Sequence, residues 1–319
     1  MSAPAVCRAG PSLALIKYWG KSIKGDNLPA TPSLAVTLGG VHTETRAEVA
    51  EEDSVTVDGI PVDPERGAGF FSALRETLGI TAHFSAVSRN TFPTSAGLAS
   101  SSSGFAALAG ACARAAGSDA SLSDLSAIAR AGSASAARAV FGGFVLLPAG
   151  GRRARPLHDA DHWPDLRIVI AVIERGAKPV SSRAGMEETR SGSPYYFSWI
   201  KESAELLPDA MRALETRDLE LLGETARRSY SLMHGAILGS RPPLLYWLPG
   251  TVAVIHACAE MRAAGIAAWE TIDAGPQVKV LCLAPQAPAV CERISGLGFG
   301  IETILCRPGP GLTYGPSFA

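Results

Sequence analysis

No apolar run of about 18 residues occurs anywhere in the 319-residue chain, and its opening, MSAPAVCRAG, lacks the stretch of roughly 7 to 15 apolar residues that a secretion signal needs. A membrane-crossing helix and an export signal are therefore not expected. Blocks of like charge are missing too. Lysine and arginine total 29 against 30 aspartates and glutamates, and a net charge of −1 gives no basic face for nucleic acid or an anionic membrane surface. Six cysteines (Cys7, Cys112, Cys258, Cys282, Cys291, Cys306) include no C-x-x-C pair, so they read as reduced, mostly buried thiols rather than a disulfide framework. No histidine falls in an H-E-x-x-H segment, and a structural or catalytic zinc centre is not expected. The Walker phosphate loop, G-x-x-x-x-G-K-[ST], is absent as well. What remains is a cytoplasmic globular protein whose partners are small molecules, with no nucleic acid and no membrane among them.

The apolar content is 47%, enough in a chain of this length for a large core in one or two domains. Alternating or continuous apolar runs predict strands at 12–19, 33–39, 42–50, 54–59, 142–148, 166–174 and 278–284. Helical spacing appears at 66–78, 102–116, 121–137, 197–216, 218–228, 251–264 and 286–296. Strands cluster early and helices intersperse later, which is an α+β pattern. Turn-forming residues collect in AKPVSSRAGMEETRSGSPYY (177–196), the best boundary between an N-terminal part, 1–189, and a C-terminal part, 190–319.

Four segments carry chemistry. In TFPTSAGLASSSSGFAAL (91–108), Pro93 and Gly97 shape a loop and four serines, Ser100 to Ser103, open a helix. A helix N-terminus offers unpaired N–H groups and a positive dipole end, so this is an anion site, and serine hydroxyls there can reach a phosphate-bound magnesium ion. N-capping alone explains an isolated segment of this kind equally well. ALIKYWGK (14–21) sets Lys17 and Lys21 around Tyr18, two cations and a phenol suited to a polyanion. RAGSASAARAVFGGF (130–144) brings Ser133, Ser135 and Arg138 together, on one helix if the segment is helical. WETIDAGPQVKVLCLA (269–284) places Asp273 in a D-x-G-P turn before a strand, which an Asx turn would also explain.

The P-x-x-x-G-L-x-S-S pattern at Pro93, Gly97, Leu98, Ser100 and Ser101 resembles the phosphate loop of the GHMP small-molecule kinase superfamily. IKYWGK (16–21) is similar to the N-terminal signature of one of its branches, the diphosphomevalonate decarboxylases. The matches span 12–39, 90–116, 130–144, 177–196, 233–246 and 270–284, in order along nearly the whole chain. The resemblance implies a GHMP kinase fold, with an N-terminal ribosomal-protein-S5-domain-2-like domain (1–189) and a C-terminal ferredoxin-like α/β sandwich domain (190–319). It implies ATP-dependent decarboxylation of (R)-5-diphosphomevalonate through a 3-phosphorylated intermediate, with ATP and magnesium, in a homodimer.

Residue by residue, the resemblance makes Asp273, Lys17 and Arg138 catalytic, Arg138 as the holder of the substrate carboxylate. Tyr18, Lys21, Ser133, Ser135, Ser182, Arg183 and Met186 become substrate contacts. Asn90, Pro93, Gly97, Leu98, Ala99, Ser100, Ser101 and Ser102 become nucleotide contacts, with Ser101 also on magnesium. Three positions depart from the family pattern: Ser12 stands where asparagine is common, Thr31 where asparagine or serine is, and Gln277 where asparagine is. These changes bear on substrate contacts, so a decarboxylase of the monophosphate, phosphomevalonate, stays open as an alternative. A kinase that stops after phosphorylation and a non-catalytic nucleotide- or RNA-binding module are the remaining readings.

Overall fold

The protein is described by a computed structural model over residues 3–22, 27–92, 100–176 and 180–316. Its strands are β1 (Ala5–Ala9), β2 (Ser12–Ala14), β3 (Ser33–Gly39), β4 (Thr43–Ala50), β5 (Ser54–Val57), β6 (Ile60–Pro61), β7 (His83–Asn90), β8 (Phe144–Leu147), β9 (Arg155–His158), β10 (Leu166–Val172), β11 (Trp269–Ile272), β12 (Val278–Leu283), β13 (Glu302–Pro308) and β14 (Thr313–Tyr314). Its α-helices are α1 (Pro64–Leu78), α2 (Ser100–Ala115), α3 (Leu122–Gly132), α4 (Ala136–Ala139), α5 (Ser182–Gly192), α6 (Tyr196–Glu205), α7 (Leu207–Thr216), α8 (Leu219–Leu238), α9 (Pro249–Ala263) and α10 (Ala287–Ser295). The α+β class read from the sequence is the one observed.

Two sheets organise the chain. The first runs β14-β1-β4-β7-β5-β6, antiparallel except for β5 beside β7. Helices α1 to α4 cover it, and the shared core joins Phe70, Phe71 and Leu74 to Phe84, Leu125 and Ile128. Small residues let α2 lie close on this sheet: a Cβ at Gly110 would sit 2.5 Å from Cys7 Sγ. The second sheet runs β11-β12-β10-β13-β3-β8-β9, with β2 paired to β3. One of its faces packs on α7 and α8 through Leu166, Ile168, Leu214 and Leu222, and the other packs on α9 and α10 through Val169, Val254 and Val290. The last strands close both sheets, since β13 lies between β10 and β3 while β14 pairs with β1.

Several sequence expectations change for local reasons. The strand predicted over 12–19 stops at Ala14, where the N–H groups of Leu15 and Ile16 both turn onto the Leu34 carbonyl. The helix predicted over 121–137 ends at Gly132, and Ser133 is extended with φ −155°. A Cβ at Gly132 would collide with the Phe105 ring, so the close approach that the glycine allows coincides with the break. The predicted 197–216 helix divides at Leu206 because Pro208, in the first turn of α7, has no N–H to continue the ladder of α6. Residues 182–192, read as boundary loop, form α5, capped by Ser181 Oγ accepting from Ala184 N at 3.2 Å. The expected boundary at 189/190 therefore falls inside a helix.

Strands with little large apolar content, such as HFSAVSRN in β7, also escape the hydrophobic pattern; β7 buries Phe84, Ala86 and Ser88 on one face, only the first of them large. His158 and His162, four residues apart, stack with ring centroids 3.8 Å apart. Among the described residues no group of three His, Cys, Asp or Glu side chains is placed to hold a metal ion.

Candidate active site

The segment after β2 carries Lys17 into the interior. Its backbone N–H donates to Ser229 Oγ of α8 at 2.9 Å, and its ammonium donates to the Ala14 carbonyl at 2.8 Å. That ammonium also meets Asp273 Oδ1 at 2.7 Å. Lys17 is 1% exposed, a buried ammonium rather than a solvated one. Burial lowers its pKa to about 8, with Asp273 pulling the other way.

Asp273 follows β11 and sits in the turn before β12, where Gly275 N bonds back to its carbonyl at 2.8 Å. Its second oxygen, Oδ2, lies 3.1 Å from Nζ of Lys279 on β12. Desolvation raises the Asp273 pKa, but the ammonium groups of Lys17 and Lys279 outweigh it and hold the carboxyl well below the usual carboxylate range. His234 of α8 places Nε2 3.2 Å from the Asp273 carbonyl oxygen; burial pulls its pKa down to about 4, so the ring is neutral at physiological pH and donates there.

Arg138 lies in the single turn α4 and is 2% exposed. Its guanidinium donates to two hydroxyls, Ser12 Oγ at 3.2 Å and Ser33 Oγ at 2.5 Å. No carboxylate of the described residues forms an ion pair with it. A buried guanidinium held by neutral groups alone is costly, and an anionic ligand would meet the need. Burial lowers its pKa to about 10, partly opposed by the charge of Asp273, which places the two side chains in one electrostatic neighbourhood. Ser133 and Ser135 stand beside α4 with their hydroxyls 3.0 Å apart, half-buried and not on one helix as the sequence spacing allowed.

The four serines divide by depth. Ser102 and Ser103 are fully buried: Ser102 Oγ accepts from Ser12 N at 3.0 Å, and Ser103 Oγ lies 2.6 Å from Thr43 Oγ1 of β4. Ser101 is exposed and Ser100 half-buried, and the first turn of α2 holds no acidic residue. Ser102, expected as a nucleotide contact, thus has its hydroxyl turned onto the N-terminal segment, whereas Ser101 is open to solvent. Asn90, at the end of β7, accepts from Thr43 Oγ1 at 2.6 Å and is bonded to Asp58 through its backbone and side chain, both at 2.9 Å. Pro93, Gly97, Leu98 and Ala99 lie outside the described residues.

Tyr18 is half-buried beside this cluster, and burial raises its phenol pKa, with Arg138, Arg130 and Arg183 acting against the rise. Arg183 is exposed and Ser182 half-buried at the start of α5. Lys21 is half-buried, its backbone bridged to Pro29. Met186 is different: it packs with Trp19, Tyr196, Trp199 and Met233 in an apolar cluster beneath the segment. Gly20 has φ +110°, and a Cβ there would strike the Tyr196 hydroxyl at 2.3 Å, so the W-G-K turn requires glycine twice over.

The departures from the family pattern have separate consequences. Ser12 is part of the Arg138 anchor. Thr31 is buried with its hydroxyl unpartnered among the described residues. Gln277 is turned away from Asp273: its Oε1 accepts from Ile173 N at 2.5 Å and its amide donates to the Glu174 carbonyl, tying the end of β10 to the turn. The sequence reading missed Lys279, His234, Ser33 and Ser229. Lys279 had a signal, a lone lysine in the apolar strand VKVLCL; the other three gained their places only through tertiary contact.

Comparison with known proteins agrees over both parts of the chain. Residues 9–157 match the family profile described as diphosphomevalonate decarboxylase-like N-terminal domain, and residues 168–300 match the mevalonate 5-diphosphate decarboxylase C-terminal domain. The diphosphomevalonate decarboxylase of Candida albicans is 34% identical over 296 residues, covering 84% of this chain and 81% of the relative; that of Aspergillus fumigatus is 32% identical over 327 residues, covering 92% and 80%. Mevalonate diphosphate decarboxylase from Staphylococcus aureus superimposes with a TM-score of 0.91 at 33% identity, covering 99% of each chain. The enzyme from Enterococcus faecalis gives 0.89 at 34%, covering 99% of this chain and all of the other. A further structure, MDDEF in complex with MVAPP, AMPPCP and magnesium, gives 0.90 at 35% with the same coverage. Two consecutive family profiles, relatives at this identity and a shared fold from end to end place the chain in the diphosphomevalonate decarboxylase family.

Proposed function

We propose that the chain catalyses the ATP-dependent decarboxylation of (R)-5-diphosphomevalonate to isopentenyl diphosphate, ADP, phosphate and CO2. The observation that carries this reading is the meeting of an ionised aspartate, clamped by buried ammonium groups, with a buried arginine that pairs with no carboxylate among the described residues. A kinase needs the first feature; removal of a carboxyl group explains the second.

Direct loss of CO2 from a 3-hydroxy acid leaves an electron pair with no place to go except onto a poor leaving group. Phosphorylation of the C3 hydroxyl removes that obstacle. Its oxygen bonds to the γ-phosphorus of ATP, the bond from that phosphorus to the bridging oxygen breaks, and the hydroxyl proton passes toward Asp273. The carboxyl carbon then separates from C2, the electron pair forms the C2–C3 double bond, and phosphate leaves C3. Phosphoryl transfer asks the protein mainly for alignment and charge neutralisation. Asp273 orients the C3 hydroxyl, and Lys17 keeps that carboxylate charged. Arg138 fixes the substrate carboxylate, and the Ser12 and Ser33 hydroxyls fix Arg138. Tyr18, Lys21, Ser182 and Arg183 bind the diphosphate, whose binding energy holds C3 in place.

The start of α2 fits the ATP phosphates: the positive end of a helix, the Ser100 and Ser101 hydroxyls and no acidic side chain in the first turn. Magnesium, when bound, neutralises phosphate charge during transfer; the exposed Ser101 hydroxyl is the protein group to hold it. Residues 1–189 thus supply the nucleotide side and residues 190–319 the aspartate, with the enzyme a cytoplasmic homodimer. No described helix is long and apolar enough to cross a membrane.

The test is a coupled assay of ADP formation and CO2 release with mevalonate, its 5-phosphate and its 5-diphosphate in parallel. Stoichiometric ADP and CO2 from the 5-diphosphate alone is the expected result. Preference for the 5-phosphate would transfer the assignment to a monophosphate decarboxylase, and ADP without CO2 would reduce it to a kinase. Light scattering of the purified protein checks the dimer.

A further inference from the structure

Lys279 is 2% exposed in a strand whose other residues are Val278, Val280, Leu281, Cys282 and Leu283. Sheet stability alone would be served by an apolar side chain there, because burying an ammonium group carries a desolvation cost that only close pairing offsets. Its Nζ lies 3.1 Å from Asp273 Oδ2, on the opposite oxygen from Lys17 at 2.7 Å. One ammonium is enough to pair a carboxylate; this one has two, both buried. The charged and titratable groups facing Asp273 are Lys17 from the segment after β2, Lys279 from β12, neutral His234 from α8 and, farther off, Arg138 from α4. Among the described residues, two cations pair with this anion and a third acts on it from farther off.

We propose that Lys279 is a positioning residue of this active site: by holding Oδ2 while Lys17 holds Oδ1, it fixes the rotation of the Asp273 carboxylate and shares its charge before substrate arrives. The proposal rests on the decarboxylase reading given above. Each carboxylate oxygen can accept more than one hydrogen bond, so the substrate hydroxyl can dock on Asp273 with both ammonium contacts in place. Lys17 has a second tie, to the Ala14 carbonyl, and the shorter contact to Asp273. Lys279 also acts on Lys17, whose pKa its positive charge helps to lower.

Lys279→Met keeps the length of the side chain and removes the charge. It should lower kcat about tenfold or more. Losing one cation should raise the pKa of Lys17, so the alkaline limb of the kcat profile should move to higher pH. Lys279→Arg should keep the limb near its wild-type position. A residue needed only for folding would lower the melting temperature and leave the limb where it was. In parallel, NMR of protein labelled with 13C at aspartate Cγ, with the Asp273 signal assigned by its loss in Asp273→Asn, should show the Asp273 titration displaced upward in Lys279→Met. Should that variant not fold, Lys279→Gln, which keeps a donor but no charge, carries the same two measurements. Unchanged profiles and an unchanged Asp273 titration overturn the proposal. The NMR measurement needs no turnover: a wild-type enzyme that fails to release CO2 defeats the decarboxylase reading, while a wild-type-like titration in the variant defeats the clamp.

Discussion

Ser102 accepts a hydrogen bond from the backbone N–H of Ser12 at 3.0 Å, across 90 residues of chain. Ser12 in turn accepts from Arg138 Nε at 3.2 Å, so α2, β2 and the arginine of α4 form one connected path. Ser102→Ala breaks the first link and leaves a buried N–H without a partner, a loss of about 1–3 kcal/mol. A lower melting temperature is expected, together with an ATP affinity close to wild type. A large loss of ATP affinity with an unchanged melting temperature would instead make Ser102 a direct nucleotide contact.

Ser101 should behave in the opposite way. Its hydroxyl is exposed and has no structural duty comparable to that of Ser102. Ser101→Ala should preserve stability to within about 0.5 kcal/mol, as surface changes do. Nucleotide affinity in the presence of magnesium, measured by calorimetry, should fall together with turnover. If both are unaltered, Ser101 holds neither phosphate nor metal.

Arg138→Lys tests geometry at constant charge. Lysine presents a point charge and cannot reproduce the planar fork that reaches Ser12 and Ser33 while facing a carboxylate. The loss of charge-assisted hydrogen bonds, about 1.5–3 kcal/mol, predicts a fall in kcat of roughly 10- to 100-fold. ATP affinity should change little. Equal losses in ATP binding and turnover would argue that Arg138 serves the nucleotide rather than the carboxylate.

The family resemblance singled out Lys17, Arg138 and Asp273, but nothing in the sequence gave their depth, because an isolated lysine or arginine reads as solvated until packing closes over it. Ser33 and Ser229 are ordinary members of a strand and a helix; only the approach of Arg138 and Lys17 gives them a function. Met186 shows the converse, since a residue expected to contact substrate lies in the apolar cluster with Trp19, Tyr196 and Trp199. The fold class followed from strand and helix periods, whereas α5 and β7 escaped because their buried faces are made of Gly, Thr, Ala and Ser, with one large apolar residue each, Met186 and Phe84.

Glu270 underlies the turn that carries Asp273. It is fully buried in β11, with Arg227 Nε at 2.7 Å, Arg262 Nη1 at 2.6 Å and the Tyr230 hydroxyl at 3.1 Å. Glu270→Ala would leave Arg262 largely buried and without its carboxylate, a situation that costs about 3–5 kcal/mol. Arg227 is partly exposed and can turn to water, so the lower end of that range is expected. Chemical denaturation should show the loss. A variant as stable as wild type would mean that the arginines find other partners.

The pH dependence follows from Lys17 and Asp273 together. Asp273, its pKa depressed, stays ionised across the neutral range, so it contributes no acid limb near neutrality. Lys17, lowered to about 8, is charged below that pH and loses its proton above it. Activity that needs the charged pair should therefore be full below pH 8 and decline by one proton above it, with the limb near 8 in kcat. Asp273→Asn should reduce kcat by at least about 100-fold, the usual scale for loss of an acid–base group. It also removes the anion that favours charged Lys17, so the alkaline limb of the residual activity should move to lower pH, the reverse of the shift expected for Lys279→Met. ATP binding should persist. Near-normal turnover in Asp273→Asn, or a limb that does not move, would separate Asp273 from both the reaction and Lys17.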